Sequence, residues 1–485
     1  MSKGSAYVAS RLPEIVGAEH VLTDIRVCAK YEVDGVRPSV AVRPGAAAEI
    51  AEILRFAAAD QLAVIPMGGR TKLGIGMPPR QFDLALDLSR LNRVLAYDPR
   101  DLTCGVESGV LFADLDRQLA AERQFLPLAP AFADRATLGG IIAAGADSPL
   151  RYAYGSARDY LLGMEFITGD GVFSKSGGRV VKNVTGYDLH KLLIGSLGTL
   201  AVITRLNFRT FPLPPAQQTF LASFPTVPEA LSFCAAIAKS PLQPKLVEAL
   251  DRGTARLFAA RGCTRTSGDA WSAVITAAGQ QAVVERHARD LERMAGDMRA
   301  SEFAPLNDSE QAALLGCITE FPRLILEAFP RAAIFRIAAL PAAMPDLLRQ
   351  ISAALERQRL DQATLVRASG VVYVAMLPPT SRDAADENAP AKNDAAKNDA
   401  ADKNDADENP DIRLVTAGRE IMKVGVAGGW RPLIEWCPPS VKRELRAAGG
   451  SIWPPAGDEH FLAERLKKVF DPHGILAPGR FQGGV

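Results

Sequence analysis

The stretch "LAVIPMGGRTKLG" (62–74) decides how this chain is read. Its first four residues are an apolar run of the kind that fills a buried strand. The nine positions that follow, "PMGGRTKLG" (66–74), hold three glycines and two basic residues. The order is not that of a P-loop, because no Gly-Lys-Ser/Thr sits at the required offset. It is not a dinucleotide fingerprint either: the G-x-G-x-x-G order is absent and no helical pattern follows. Successive backbone N–H groups in such a loop can still form an anion-binding nest. Gly68 and Gly69 allow positive φ and the close approach of a ligand to the backbone. Thr71 can add a hydroxyl donor, and Arg70 and Lys72 raise the local potential. A plain strand-to-loop turn is the alternative reading of this loop taken alone.

Outward from the loop, "SVAVRP" (39–44) reads as a short strand closed by proline. "AAAEIAEILRFAAAD" (46–60) has helical spacing and strong helix formers. "FDLALDLS" (82–89) alternates strictly, the pattern of a half-buried strand. "NRVLAYDP" (92–99) and "LTCGVESGV" (102–110) predict two more strands, and "LFADLDRQLAAER" (111–123) an amphipathic helix. A second glycine loop, "TLGGIIAAG" (137–145), repeats the glycine pair beside Thr137 and small residues. Two such loops can clamp a pyrophosphate from two sides. A third run, "VVKNVTGYDLHKLLIGSLGTLAVIT" (180–204), sets Lys182, Asn183, Thr185 and Tyr187 before Gly195 and Gly198. Core strands need no such polar cluster, so it reads as a site lining. "GDG" (169–171) predicts a hairpin turn.

"PLPPAQ" (212–217) punctuates the chain and is taken as a domain boundary. Beyond it, "QTFLASF", "WSAVITAAG", "AAIFRIAAL" and "GVVYVAML" predict four strands among helical segments, a layered antiparallel sheet with helices on one face. The segment 383–411 repeats Lys-Asn-Asp-Ala and holds almost no large apolar residue, so disorder is expected. The organisation that follows is an N-terminal segment 1–35, a domain 36–215, a domain built from 216–382 and 412–457, the insertion 383–411, and a tail 458–485 that packs back on the first domain. The fold class is α+β.

Composition excludes several classes. Lysine and arginine (56) nearly balance aspartate and glutamate (55), so bulk charge argues for neither nucleic acid nor a membrane surface. No apolar run reaches the roughly 18 residues of a transmembrane span, and the N-terminus has no secretory h-region. A cytoplasmic protein is expected, with any membrane association made through partners. The six cysteines form no C-x-x-C pair and no cluster with zinc or iron–sulfur spacing. They are expected to be isolated thiols, and no metal site is predicted.

The motifs "PMGGRTKLG", "ATLGGIIAAG", "YGSARDYLLGMEFITGDG" and "VKNVTGYDLHKLLIGSLGTLAVIT", in that order, resemble the FAD-binding domain of the vanillyl-alcohol oxidase and p-cresol methylhydroxylase (PCMH) type. The resemblance covers about residues 36–215. The closing "FDPHGILAPGRF" resembles the C-terminus of 2-hydroxyacid-oxidising members, and "KNVTGYDLHKLLIGSLGTL" is more narrowly similar to the FAD-binding subunit of bacterial glycolate oxidases. The resemblance implies a two-subdomain FAD domain followed by a smaller α+β domain. It assigns cofactor contacts to Pro66, Met67, Gly68, Gly69, Arg70, Thr71, Lys72, Leu73 and Gly74, and to Thr137, Leu138, Gly139 and Gly140 on the other side. Ala144, Gly145 and Ser148, with Tyr154, Gly155 and Arg158, would line the ribityl and flavin region. Ile203 would add backbone contacts, and Lys182, Asn183 and Tyr187 would lie beside the flavin. Covalent relatives often use a histidine in the first loop. Arg70 stands there instead, which implies non-covalent FAD.

Oxidising a 2-hydroxyacid takes a flavin, a base for the hydroxyl proton and a cation for the carboxylate. The catalytic relatives carry histidine-rich motifs. This chain has five histidines, His20, His190, His287, His460 and His473, none at metal-ligand spacing. His287 is expected on an exposed charged helix face, His190 in a structural role, and His473 capping or packing a helix-ending turn. "GSLG" places Leu197 where related catalytic subunits commonly have glutamate. No catalytic residue is assigned. The resemblance therefore implies an FAD-carrying subunit that oxidises glycolate or a similar acid with a catalytic flavoprotein subunit and an iron–sulfur subunit as partners. The alternatives are a self-sufficient FAD-dependent D-2-hydroxyacid dehydrogenase and a non-catalytic FAD-fold assembly subunit.

Overall fold

The apolar run before the first glycine loop becomes a strand at the edge of a four-stranded sheet. The computed structural model describes residues 5–179, 186–263, 270–379 and 409–485. These form two units, Met1–Pro214 with Pro455–Val485, and Pro215–Pro454.

In the first unit, strands β1 (Val21–Leu22), β2 (Val40–Val42), β3 (Val64–Met67) and β4 (Leu84–Asp87) lie in the order β1-β2-β4-β3. Both β2 and β3 run parallel to β4. Parallel strands need a crossover, and the Ala47–Asp60 helix supplies it. Ile50, Ile53, Leu54 and Ala57 recur at helical spacing and bury against Val40, Val42, Val64, Leu84 and Leu86. β4 is not half-buried as its alternation predicts. It pairs on both edges, and Leu84–Asp87 is buried throughout.

The second sheet of this unit contains β5 (Val94–Asp98), β6 (Thr103–Glu107), β8 (Leu161–Thr168), β9 (Phe173–Gly177) and β10 (Ala201–Arg209), ordered β5-β6-β10-β8-β9 and antiparallel throughout. The short strand β7 (Gln124–Phe125) pairs with β11 (Phe211–Pro212). Leu115 and Leu119 of the Phe112–Ala121 helix, and Leu138, Ile141 and Ile142 of the Leu138–Ala143 helix, share a core with Val106, Phe166, Leu206 and Phe208. The C-terminal tail joins the first sheet. Leu476 lies parallel to Val64, with Val64 N donating to Ile475 O and Ala477 N to Val64 O, both at 2.8 Å.

The second unit is built on eight strands, β12 (Ala216–Phe224), β13 (Leu246–Leu250), β14 (Trp271–Gly279), β15 (Glu302–Pro305), β16 (Ala333–Ala338), β17 (Asp361–Arg367), β18 (Val371–Leu377) and β19 (Arg431–Trp436). Their order is β15-β12-β14-β13-β17-β18-β16-β19, and every pairing is antiparallel. Four of these strands escape the sequence reading. Two of them, β13 and β17, hide behind central charges. Glu248 and Arg367 are direct cross-strand neighbours and form a buried ion pair at 3.1 Å. Register places them, with Tyr373, on the face opposite Phe224. Phe224 packs on Phe233 of the Val227–Lys239 helix, and Tyr373 on Phe321.

Three further expectations are corrected in this unit. His287 is buried, not exposed, because it continues the stripe Val284, Leu291 and Ala295 of its helix. Its Nδ1 donates to Val283 O at 2.8 Å. Cys263 and Cys317 are joined in a disulfide, not isolated; the Arg252–Ala259 and Asp308–Thr319 helices bring together two cysteines 54 residues apart. Pro410 and Asp411, expected in the insertion, begin the Pro410–Ala427 helix. Asn409 caps that helix by accepting from Asp411 N at 3.0 Å, and Asp411 pairs with Arg331 at 2.9 Å. The rest of the insertion lies outside the described residues.

Candidate cofactor site

A cleft opens in the first unit. One wall is the end of β3 and the loop Pro66 to Leu73. The other is Ser108, Thr137, Gly139, Gly140, Ala143 and Ala144, with Leu197, Gly198, Ala201 and Ile203 beyond.

The first two glycine loops touch, and their contact explains the glycines. A Cβ on Gly69 would stand 1.6 Å from Arg135 O, and one on Gly68 2.0 Å from Thr137 Oγ1. A Cβ on Gly139 would meet Ser108 Cβ at 2.6 Å. Close approach is thus the reason for the pair at 68–69. Neither uses the positive φ that glycine allows; the left-handed residue is Arg70, at 59°. Gly140 differs from its neighbours. A Cβ on it would meet only Thr137 Oγ1, at 3.1 Å, and would otherwise project into open space. Thr137 caps the short Leu138–Ala143 helix by accepting from Gly140 N at 3.3 Å. The third run docks on the end of that helix, with Gly195 N donating to Ile142 O at 3.0 Å and Leu197 N to Ala143 O at 2.8 Å.

The lining is cationic. Among the described residues it contains Arg70, Lys72 and Arg480 and no carboxylate or imidazole. The Arg70 guanidinium lies 4.8 Å over the Tyr31 ring and donates to Lys30 O at 3.3 Å. Tyr31 in turn donates to Asp87 at 2.7 Å, and burial, then this carboxylate, push the phenol up to about 12. Arg480 is fully buried, and its Nη2 donates to Leu73 O at 2.7 Å and to Ile75 O. Desolvation lowers its pKa to about 10, against the opposing pull of Asp34. The buried Ser108 Oγ has no hydrogen-bond partner among the described residues.

The structure gathers most of the residues predicted from sequence. Pro66 to Leu73, Thr137, Gly139, Gly140, Ala144 and Ile203 all line the cleft. Others do not. Leu138 turns into the core of the second sheet, and Gly74 lies off the cleft wall. Gly145 serves the approach of Gly195, whose Cα would be 3.1 Å from its Cβ. Ser148 donates to Pro127 O at 3.3 Å. Tyr154 stacks edge-on against Phe125 and Phe211. Gly155 ends the Arg151–Tyr154 helix at φ 75°, and Arg158 donates to Lys191 O at 2.9 Å. Tyr187 is 89% exposed and away from the cleft. Lys182, Asn183 and Thr185 lie outside the described residues. Ser108 and Arg480 were missed. The signal for Ser108 was the Ser-Gly that ends "VESGV"; for Arg480 it was the basic residue in the closing "APGRF".

None of the five histidines lines the cleft. His20 pairs with Glu19 at 3.5 Å and His460 with Glu464 at 3.4 Å. His190 is buried beside Ser176, 2.9 Å from its Oγ. Ser176 Oγ also lies 2.9 Å from Tyr187 O. His473 is exposed and makes no cap. Asp471 does that work, accepting from Ile475 N at 3.1 Å and Leu476 N at 2.8 Å. Among the described residues no group of three His, Cys, Asp or Glu is placed to hold a metal ion.

Residues 38–176 match the FAD binding domain, and residues 213–378 match the C-terminal domain of FAD linked oxidases. The chain is a PCMH-type FAD flavoprotein. The flavoprotein is 26% identical over 294 residues to the glycolate oxidase subunit GlcD of Bacillus subtilis (strain 168), covering 61% of this chain and 62% of the relative. It is 33% identical over 200 residues to the glycolate oxidase subunit GlcE of Escherichia coli (strain K12), 41% of this chain and 55% of the relative. It is also 33% identical over 234 residues to a D-lactate dehydrogenase of Archaeoglobus fulgidus, 48% and 51%. The matches thus span between 51% and 62% of those relatives' own length. The flavoprotein shares its fold with p-cresol methylhydroxylase solved with substrate bound, at 16% identity, a TM-score of 0.76, and 99% and 97% coverage of the two chains. Its cofactor is FAD. The cleft fits that group: its lining is cationic, and Ser108 Oγ and the open side of Gly140 offer polar and backbone surface.

Proposed function

We propose that the flavoprotein is the FAD-binding subunit of a glycolate oxidase complex. In this reading glycolate, or a similar small 2-hydroxyacid, is oxidised to the 2-oxoacid together with a catalytic flavoprotein subunit and an iron–sulfur subunit. The observation that carries it is the lining of the cleft, with three cations and no carboxylate or imidazole among the described residues. Such a lining binds an anion but offers no base for a hydroxyl proton. The glycolate oxidase subunits among the relatives support the substrate class and the shared assembly.

Within this reading the FAD is non-covalent, because Arg70 stands where a tethering histidine would be needed. Pro66 to Leu73, Thr137, Gly139 and Gly140 hold the diphosphate, with Arg70 and Lys72 lowering its charge and Thr71 and Ser108 donating. Ala144 and Ile203 flank the remainder, and Ile65, Leu88 and Ala201 exclude water. When bound, FAD supplies a two-electron acceptor. No helix among the described residues is long and apolar enough to cross a membrane; we place the complex in the cytoplasm, with any membrane contact made by its partners.

The D-lactate dehydrogenase relative favours a second reading, a self-sufficient D-2-hydroxyacid dehydrogenase. One absorbance experiment separates the two. The chain is purified alone and its spectrum taken before and after anaerobic addition of glycolate, then of D-lactate. A stoichiometric flavin band that neither acid bleaches supports the subunit reading. Bleaching by either acid moves the function to the dehydrogenase. A colourless chain that takes up no added FAD would leave an assembly role.

A further inference from the structure

We infer that Arg480, from the C-terminal tail, is the residue that couples the first glycine loop to the diphosphate of FAD, both shaping the loop and supplying its buried positive charge. The inference rests on FAD occupying the cleft just described. Three independent features lead to it. First, Arg480 lines the cleft and is 2% exposed, so its charge sits in a low-dielectric site where an anion is felt strongly. Second, its guanidinium bonds two backbone carbonyls of the segment that follows the glycine pair, Leu73 O and Ile75 O. Both bonds come from Nη2, one arm of the guanidinium fork, and the delocalised charge of the group still borders the cleft that it lines. Third, the backbone of Arg480 is itself pinned to that segment. Met77 N donates to Arg480 O at 3.0 Å, and Gly76 takes φ 105° with its Cβ position 3.0 Å from the same oxygen. The desolvation that lowers the Arg480 pKa is relieved by a neighbouring anion.

The tail is anchored so that this arginine cannot drift. Leu476 is bridged to Val64 on β3, the strand that leads into the glycine loop. Asp471 holds the turn before it. Sequence order alone would never pair residue 480 with residue 73, which are 407 positions apart.

The test uses the full chain stripped of flavin and titrated with FAD, and separately with riboflavin, which lacks the diphosphate. Wild type, Arg480→Met and Arg480→Lys are compared. Loss of a charge-assisted contact corresponds to about 10- to 100-fold. We expect Arg480→Met to weaken FAD by that factor with riboflavin changed less than about threefold, on the same charge-assisted scale. Arg480→Lys, which keeps the charge and loses the fork, should fall between. Equal losses for both ligands would reduce Arg480 to a prop, and an unchanged FAD affinity would remove it from the site. If the methionine variant does not fold, ADP and adenosine are compared as competitors on wild type and Arg480→Lys. ADP should lose its advantage over adenosine by about tenfold in the lysine variant, and an unchanged advantage overturns the inference. Wild type that binds neither FAD nor riboflavin would instead overturn the FAD reading itself.

Discussion

Gly69 and Gly140 look alike in the sequence and differ in the structure. Gly69 faces a carbonyl that a methyl group would overlap, whereas Gly140 faces the cleft from within a short helix. Gly69→Ala should therefore cost about 2–3 kcal/mol of stability from overpacking and lose FAD with it. Gly140→Ala should fold as well as wild type, or gain up to about 1 kcal/mol from helix propensity, yet bind FAD more weakly. Thermal melts of the apoprotein with parallel FAD titrations check both. Equal behaviour of the two variants would mean that the loop contact is not what requires glycine.

His190 carries a second prediction at this scale. Burial lowers its pKa below the ordinary 6.5. The folded state then holds the proton more weakly than the unfolded state. Stability from this group is present above about pH 6.5 and is lost as pH falls through the folded value. The melting temperature of wild type should drop more steeply from about pH 7 to 5 than that of His190→Gln. Parallel curves would assign the acid sensitivity to other groups.

Among the elements, the strands of the second unit divide by how their interior positions are filled. β12, β14, β16 and β18 hold long apolar runs and could be read directly. β13 and β17 place a buried charge in or at the end of such a run, and no neighbour along the chain explains it. The partner lies 119 residues away. Arg367 also lies 5.3 Å over the Tyr373 ring, which adds a cation–π contact to the pair. Glu248→Gln or Arg367→Met alone should cost about 3–5 kcal/mol, because each leaves a buried charge behind. The double variant Glu248→Leu with Arg367→Met should recover much of that. Denaturant titrations of the four species measure the coupling, and additive losses would show that the pair is not energetically linked.

Across the first unit, the tail ties distant loops together. Lys467 is half-buried and donates to Thr199 O and Leu476 O, both at 2.7 Å, and pairs with Asp471 at 2.8 Å. One ammonium thus connects the third glycine run, the tail strand and the turn that aims Arg480. Lys467→Met leaves Asp471 buried without that cation. We expect a loss of about 3–5 kcal/mol together with reduced flavin content, read from thermal melts and the 450 nm band of purified protein at about equal concentration. A variant that loses stability and keeps full flavin affinity would show that the brace does not reach the cofactor loops.

How much could be read without coordinates follows the reach of each interaction. The strand–helix–strand of 40–67, the "GDG" hairpin, the two glycine loops and the cofactor class depend on residues close in sequence, or on motifs that keep their order. The helical stripe of 47–60 and the composition of the loops were enough. The sequence by itself determined an α+β flavoprotein with an anion-binding loop after β3. Only the tertiary structure decided that Gly68 and Gly69 answer to close packing and not to positive φ. It also decided that His287 is buried, that Cys263 meets Cys317, that Tyr187 stays away from the cleft, and that a C-terminal arginine completes the first loop. Each of these turns on atoms brought within a few ångströms by folding from far along the chain, and short-range pattern carries no record of such neighbours.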